Sequence, residues 1–405
     1  MAPLPDFLSG ASSLNTNILL TGGRAPVTLE LARLFSKAGY NVFVADSLKH
    51  HLCSSSRAVV KNFWVPPPRF DPTGFINALV EIVKQEKISL LIPTCEEIFY
   101  ISNGLAQLTP LCDVFAESLE KLNSLHNKWE FIGKVEQLGL SAPKTWLIQS
   151  HEDLCKALET PSPLKVVLKP VYSRFASNVH ILTKPVESIP SLEIHPQKAW
   201  VAQEFIAGKH YCTYSIAHQG KLTAHAVYPT VYTADAGSCV YFESIEHPQL
   251  LNWVKTFVQA EQFTGQIAFD FIQTEDGTLY PLECNPRSIS AIHLFQSSDR
   301  LEQAFFNTTD RIIQPKSQQS SMIAMAMIVY SLASAISSNK LGDWFKKFNT
   351  SKDVIFRFSD PVPFFHLWIV LLQFWQMSRN NAISLQQAST RDIEWDGEEI
   401  EKWGI

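Results

Sequence analysis

GQIAFDFIQTEDGTLYPLECNPR, residues 265–287, is the stretch that decides the fold of the middle of the chain. Two strand-like runs flank Asp276-Gly277, a dipeptide that favours a two-residue β-hairpin turn. If the residues on either side of that dipeptide pair with each other, counting outward places Asp270 directly opposite Glu283. Side chains alternate along a strand, so Asn285 points to the same face of the sheet as Glu283.

This hairpin predicts a metal site. Two carboxylates that face each other in an apolar sheet repel, and they are costly to desolvate unless a cation neutralises them. Oxygen ligands without His or Cys favour Mg²⁺ or Mn²⁺, and the set Asp270, Glu283 and Asn285 leaves coordination positions for phosphates. In the alternative interpretation Asp270 faces solvent, or a bulge shifts the register, since Pro281 removes one donor from the ladder.

Arg287 follows the second strand directly, after a proline. A guanidinium at a strand end can hold a transferring phosphoryl group or an oxyanion. On the residues alone, an ordinary surface arginine is the alternative.

Strand and helix patterns alternate in the N-terminal part of the chain. Residues 17–23 (NILLTGG) form a short strand pattern that ends in glycines, and Pro26 suits the first turn of the helix that follows. Two more strand patterns and a second helix follow, which predicts a parallel sheet covered on both faces over 16–117. Residues 1–15 lack the pattern of a secretory signal, and we expect a flexible leader.

The pattern changes from about Ser118. One long amphipathic helix, or two broken ones, begins a second unit over 118–200. Strand patterns outnumber helices over 201–315, which predicts a largely antiparallel α+β unit. Residues 316–405 are expected to be mainly helical, so the chain combines α/β and α+β architecture.

An apolar segment lies near the C-terminus, at 361–377 (PVPFFHLWIVLLQFWQM). Its length is at the lower limit for spanning a bilayer, and it contains His366, Gln373 and Gln376. We therefore expect a docked or interfacial helix and no integral membrane span, with peripheral membrane contact as one use of such a helix.

Composition excludes several classes of protein. The chain has 34 basic and 39 acidic residues without a long basic run, so we expect no nucleic-acid partner and prefer small-molecule substrates. Its 7 cysteines form no C-x-x-C pair, which argues against a zinc framework or a disulfide scaffold. A reducing, cytoplasmic location is the default expectation.

Five motifs in order resemble the ATP-grasp superfamily of ligases, over about 122–295. They are Lys128 in HNKWEF, Lys169 in LKP, the segment VAQEFIAG at 201–208, Asp270 in AFDFI, and LECNPR at 282–287. The resemblance implies a two-lobed ATP-grasp domain, with a small lobe over 118–200 and a large lobe over 201–315. It also implies that 16–117 is the α/β domain that precedes ATP-grasp and that 316–405 is a helical extension.

The resemblance implies a role for each matching residue. The phosphates of ATP would be held by Lys128 and Lys169, and Lys169 and Arg287 would be catalytic. Mg²⁺, or Mn²⁺, would be bound by Asp270, Glu283 and Asn285. The hinge whose backbone binds adenine would be Gln203, Glu204, Phe205 and Ile206.

The implied activity is an ADP-forming carboxylate–amine ligase. In this superfamily ATP phosphorylates a carboxylate, or a group acting like one, and an amine then displaces the phosphate. More narrowly, several stretches are similar to a group that includes mycosporine-glycine synthase, which condenses glycine with 4-deoxygadusol. An acid and an amine, with an amino acid as the expected amine, are therefore the implied substrates.

Two positions depart from the superfamily pattern. Where a glutamate often binds the ribose, this chain has His210, which can also bond a hydroxyl. The loop after Lys169 lacks glycines, and the donors available for the phosphates are Ser173, Arg174 and Ser177. Whether Arg174 binds the phosphates or points to the acceptor substrate is left open.

Strand-end residues of the N-terminal unit are candidates for the acceptor site, because ligands bind at that edge of a parallel sheet. These are Arg24, Glu96 and Glu97, for which helix capping is the alternative. A different class of function is an NAD(P)-dependent enzyme that uses the N-terminal glycines, with Asp46 at the end of the second strand, although G-x-G-x-x-G is absent. A third is an ATP-binding regulatory protein without catalysis, and a dimer is compatible with each.

Overall fold

The computed structural model describes residues 16–174, 178–186, 189–234, 238–337 and 339–400. Ser177 and the expected leader 1–15 lie outside the described residues. The strands are β1 (Asn17–Thr21), β2 (Asn41–Asp46), β3 (Lys61–Trp64), β4 (Leu90–Ile92), β5 (Asp113–Val114), β6 (Thr145–Ile148), β7 (Lys165–Pro170), β8 (His180–Thr183), β9 (Trp200–Glu204), β10 (Lys209–His218), β11 (Lys221–Pro229), β12 (Thr233–Ala234), β13 (Ser238–Cys239), β14 (Tyr241–Glu243), β15 (Gly265–Gln273), β16 (Leu279–Asn285), β17 (Ser320–Met322) and β18 (Lys352–Asp353). The α-helices are α1 (Pro26–Lys37), α2 (Pro72–Gln85), α3 (Ile98–Asn103), α4 (Leu105–Leu108), α5 (Leu119–His126), α6 (Lys128–Gln137), α7 (His151–Glu159), α8 (Pro248–Ala260), α9 (Glu302–Phe305), α10 (Ala324–Ala326), α11 (Leu332–Ser337), α12 (Leu341–Thr350), α13 (Val362–Asn381) and α14 (Leu385–Thr390).

The N-terminal sheet is parallel, in the order β3-β2-β1-β4-β5. Its strands are continuous apolar runs because both faces are covered. Leu31 of α1 packs in one core with Ile18 of β1, while Ile76 of α2 packs on the opposite side with Leu19. The predicted α/β architecture of this part of the chain is confirmed.

Two helices and an antiparallel sheet, β6-β9-β7-β8, follow. Asn127 separates α5 from α6, because its side chain accepts hydrogen bonds from the backbone N–H groups of Trp129 and Glu130 and so caps α6. The broken-helix alternative is therefore the observed one. Strand β9 pairs with β6 and β7, so the sheet extends to Glu204, beyond the boundary expected at 200.

The antiparallel sheet of the large lobe has the order β11-β10-β15-β16. Helix α8 covers one face, where Trp253 and Phe257 contact Phe269 of β15. The predicted two-residue turn is wrong: Gln273 pairs with Leu279, and 274–278 form a longer loop closed by the Thr274 N–H donating to the Thr278 carbonyl.

A β-bulge restores the predicted pairing further along the hairpin. Phe271 pairs with Pro281, whereas the next residue, Asp270, pairs with Glu283, so Leu282 is left as the extra residue. Turn and bulge each shift the register, in opposite senses. Asp270 and Glu283 therefore lie opposite each other, as predicted, although the counting that led there assumed a different turn.

The C-terminal part is mainly helical. Helix α13 packs against the 3₁₀ turn Leu52–Ser55 of the N-terminal domain, with Val370 and Phe374 buried in the core. Residues 391–400, here called the C-terminal strap, then run back across the N-terminal domain, and Trp395 stacks on Phe99 of α3 with ring centroids 4.8 Å apart. Among the helices of the described ranges, none is both long and apolar enough to cross a bilayer.

Candidate active site

The facing carboxylates of β15 and β16 lie beside a buried lysine. Asp270 and Glu283 are directly opposed, and Asn285 follows two residues further along the same strand. The Lys128 Nζ lies 3.3 Å from the Glu283 Oε2, and its side chain is only 2% exposed. Two carboxylates and one amide form an oxygen-only donor set, which fits Mg²⁺ with positions left for other ligands. Within the described ranges, no group of three or more His, Cys, Asp or Glu side chains offers a different metal site.

The two carboxyl groups differ in their electrostatics. Burial raises the pKa of Asp270 well above its usual range, and the negative charge of Glu283 raises it further. Burial alone would also raise the pKa of Glu283, but the attraction of Lys128 and Lys169 outweighs this effect and lowers the pKa to about 2. Glu283 is therefore the ionised member of the pair, and a divalent cation would relieve the cost of ionising Asp270 as well.

Lys169 lies near the end of β7, and its ammonium group reaches β16 next to Glu283. Its Nζ donates to the Gln203 Oε1 at 2.9 Å and to the Leu282 carbonyl at 3.1 Å. Leu282, the extra residue of the bulge, is thus the residue whose carbonyl accepts from Lys169. Burial lowers the pKa of Lys169 to about 8, although the attraction of Glu283 opposes this effect. Two buried lysines and a partly exposed carboxylate pair, from different elements, therefore meet in one group.

Of the predicted hinge residues, Gln203 and Glu204 lie at the end of β9, and Phe205 and Ile206 follow it. The Gln203 Nε2 donates to the Thr145 hydroxyl at 3.1 Å. The Glu204 and Phe205 N–H groups donate to the carbonyls of Lys144 and Lys165, at 2.8 and 3.1 Å. Ile206 follows Phe205, and the exposed His210 is the second residue of β10. The hinge backbone is thus tied to the small-lobe sheet up to Phe205.

Arg287 connects Asn285 of β16 to the N-terminal domain. Its Nη2 donates to the Asn285 Oδ1 at 3.3 Å and lies 3.6 Å from the Glu96 Oε1. Burial alone would raise the pKa of Glu96, but the charges of Arg174 and Arg287 outweigh this and lower it. Glu96, a carboxylate from the N-terminal domain, is therefore ionised and lies beside Arg287, which contacts Asn285, at the edge of the candidate site.

Arg174 lies on the other side of Glu96. Its Nε donates to the Glu96 Oε2, its Nη1 donates to the Asp396 Oδ1 at 2.7 Å, and its Nη2 donates to the Trp395 carbonyl. The preceding residue, Ser173, accepts a hydrogen bond from the Lys128 Nζ through its carbonyl at 3.4 Å. Ser173 and Arg174 thus lie between Lys128 and the C-terminal strap.

Two other N-terminal candidates have internal partners. Arg24 is buried between Asp46 and Asp392, with Nη to carboxylate distances of 2.7 and 2.6 Å. The Glu97 Oε1 accepts from the Thr21 hydroxyl and from the Thr94 N–H, and its other carboxyl oxygen has no hydrogen-bond partner among the described residues. Of the N-terminal candidates, Glu96 is the one that the structure brings to Arg287.

Sequence reasoning missed His126 and the C-terminal strap. His126 is buried beside Phe99 and Tyr172, and its Nε2 has no hydrogen-bond partner within the described part of the chain. Burial lowers its pKa to about 3, so the ring is neutral. Its place two residues before Lys128 was the available signal. Nothing local indicated that Trp395 would close the same cluster.

The comparisons with known proteins agree with this architecture. The family model described as the ATP-grasp domain matches residues 125–291, a range that contains both lysines, the hinge and the metal hairpin. This part of the chain is similar to the ATP-grasp domain, in agreement with the resemblance of its motifs. No curated protein sequence matches the chain.

Solved structures extend the likeness to most of the chain. An L-amino acid ligase from Bacillus licheniformis is 14% identical, with a TM-score of 0.58 over 77% of this chain and 81% of that one. An N5-carboxyaminoimidazole synthetase from Staphylococcus aureus, complexed with ADP, is 13% identical, with a TM-score of 0.60 over 81% and 88%. A carboxyaminoimidazole ribonucleotide synthase from Aspergillus clavatus, complexed with ATP, is 11% identical, with a TM-score of 0.61 over 77% and 83%. At such identities the likeness shows the fold, and the predicted fold class is confirmed.

Proposed function

We propose that the protein is an ATP- and Mg²⁺-dependent ligase that joins an amine, an amino acid, to a carboxylate or vinylogous acid and forms ADP and phosphate. One observation carries the proposal: Lys128 and Lys169 converge on the facing carboxylates Asp270 and Glu283. A group of two buried lysines and two partly exposed acids matches a site for a metal nucleotide, whose phosphates would take over the counter-charge of the lysines.

The proposed roles follow from position. Asp270, Glu283 and Asn285 would hold Mg²⁺, which would neutralise charge on the phosphates when bound. Lys128 and Lys169 would bind the phosphate oxygens, and Gln203 keeps the Lys169 side chain in place from the hinge strand. Substrate oxygen would attack the γ-phosphorus with loss of ADP. The amine would then attack the activated carbon, with loss of phosphate and of one amine proton.

Arg287 and Glu96 support the choice of an amino acid as the amine. Opposite charges 3.6 Å apart at the edge of the metal group complement a zwitterion, which carries a carboxylate and an ammonium group on one carbon. Arg287 would bind the carboxylate and Glu96 the ammonium group. Glycine with 4-deoxygadusol, the pair used by mycosporine-glycine synthase, is the first combination to test.

The deciding experiment measures ADP formation from ATP and Mg²⁺ with a panel of amino acids and acids. The test variant is Glu283→Gln, and the matched control is Glu275→Gln, an exposed glutamate on the loop of the same hairpin. Loss of a metal ligand should lower turnover at least about 100-fold, whereas the control should keep wild-type activity. Equal activity in all three proteins would contradict the assignment of the metal site.

The same substrate panel separates the ligase from a regulatory ATP-binding protein. Nucleotide binding without ADP formation for any pair would favour a regulatory ATP-binding protein. The dinucleotide alternative is less well supported, because Asp46, which would bind a ribose in that fold, is 3% exposed and accepts from the Arg24 N–H at 2.8 Å.

A further inference from the structure

Helix α13 has an apolar face directed to solvent. Its large side chains are exposed at Phe365 (65%), Trp368 (57%), Ile369 (48%), Leu372 (53%) and Trp375 (51%). They recur every three or four residues and therefore form one stripe, about 15 Å long, here called the α13 apolar face. A contiguous exposed face of this kind marks an interaction site.

The opposite side of the same helix is fixed to the protein. Pro363, Val370 and Phe374 are buried, and His366 is anchored by its Nε2, which lies 3.3 Å from the Ser54 hydroxyl oxygen. The helix therefore lies flat on the N-terminal domain. Only its exposed face is free to meet a partner, which fits a contact in the plane of a surface and not insertion across it.

The segment that carries this face contains no acidic residue. From 361 to 391 the chain contains no Asp or Glu, and the preceding acidic residue, Asp360, is 5% exposed and paired with Arg33. Exposed cations lie at the two ends of the face. The exposed Arg57 donates its backbone N–H to Asp360, which lies two residues before α13, and the Arg379 guanidinium lies 5.3 Å from the centre of the Trp375 ring.

We propose that the α13 apolar face docks on a membrane surface that contains anionic lipid. Apolar and tryptophan side chains at the acyl boundary, with arginines at the level of the headgroups, are what such a surface binds. Phe358, 92% exposed in the loop before α13, extends the apolar edge. A second copy of this face is a poorer occupant, because it would bring arginines together without a carboxylate to pair with them.

The test is sedimentation of the full-length protein with vesicles of phosphatidylcholine alone and of phosphatidylcholine with phosphatidylglycerol. Trp368→Glu with Leu372→Glu is the disrupting variant. Trp64→Glu with Leu164→Glu is the matched control, since these side chains are 70% and 69% exposed elsewhere. The disrupting variant should bind anionic vesicles at least about tenfold more weakly than wild type, and the control should bind like wild type.

A second measurement separates apolar from electrostatic contact. Arg57→Gln with Arg379→Gln should weaken binding to anionic vesicles several-fold, and salt should weaken the wild-type interaction. Equal losses in the disrupting and control variants would overturn the proposal. Absence of vesicle binding would also overturn the proposal. This holds if the protein is a monomer, and it holds equally if the protein is a dimer that Leu372→Glu dissociates. Each outcome is independent of the ligase assay.

Discussion

At the scale of single residues, the candidate site depends on an unequal pair of carboxyl groups. Glu283 is ionised because Lys128 and Lys169 attract its charge, whereas burial and the charge of Glu283 raise the pKa of Asp270. The two side chains are therefore not interchangeable in the absence of metal, although both are proposed to bind the same ion.

Metal-free stability should reveal this inequality. Asp270→Asn removes a costly acid and should raise the free energy of unfolding by about 1 kcal/mol at pH 7. Glu283→Gln leaves the buried Lys128 without its ion pair and should lower the free energy by about 2 kcal/mol. Urea unfolding in the presence of a chelator measures both. The same sign for the two substitutions would contradict the assignment of charge.

Because of Lys169, the free energy of unfolding should change with pH in the alkaline range. Burial lowers its pKa from 10.5 to about 8, so between these values the unfolded chain binds more protons at this position than the folded chain. Stability contributed by this group therefore rises with pH across that window. The difference in unfolding free energy between wild type and Lys169→Met should grow in favour of wild type by about 2 to 3 kcal/mol from pH 8 to 10.5. A flat or falling difference would show that the amine is not desolvated.

At the scale of elements, the metal hairpin was the most predictable part of the site. Strand alternation and a turn dipeptide placed Asp270 opposite Glu283, which the structure confirms. A bulge near Pro281 was one of the alternatives that the sequence offered, but its position at Leu282 and the contact of the Leu282 carbonyl with Lys169, a residue of another sheet, were not predictable. The longer loop and the bulge each shift the register by one residue in opposite directions, and Asp270 therefore still pairs with Glu283.

Two aspartates of the C-terminal strap form ion pairs with arginine that differ in exposure. Asp392 is 8% exposed beside the buried Arg24, whereas Asp396 is 42% exposed although it also pairs with arginine. Asp392→Asn should lower the free energy of unfolding by about 2 kcal/mol, because a buried ion pair loses one partner. Asp396→Asn should cost less than about 1 kcal/mol, since water screens that contact. Calorimetric unfolding of both variants tests the ranking, and equal losses would contradict it.

At the scale of the whole molecule, one chain of ionic contacts joins four parts of the fold. Glu96 comes from the N-terminal domain, Arg174 from the small lobe, Arg287 from the large lobe and Asp396 from the strap. Arg174 and Asp396 are 222 positions apart in sequence, and no periodicity or spacing signals such a pairing. The sequence analysis named Glu96, Arg174 and Arg287 individually, while their contacts with one another and with Asp396 became visible only in the structure.

This chain of contacts decides what Arg174 is expected to do. Its guanidinium contacts Glu96 and the strap, and only the carbonyl of the preceding residue reaches Lys128. Arg174→Ala should therefore raise the KM for the amine or acid substrate several-fold and leave the KM for ATP unchanged. Lys128→Met is the control, and it should raise the KM for ATP.

Arg174→Lys separates position from charge, because a lysine keeps the cation but cannot contact Glu96, Asp396 and the Trp395 carbonyl at once. Its acceptor KM should lie between those of wild type and Arg174→Ala. A rise in the KM for ATP alone would mean that Arg174 leaves the strap and binds the phosphates during turnover. In that case the strap would release this loop when nucleotide binds, and of its two arginine partners Glu96 would keep Arg287.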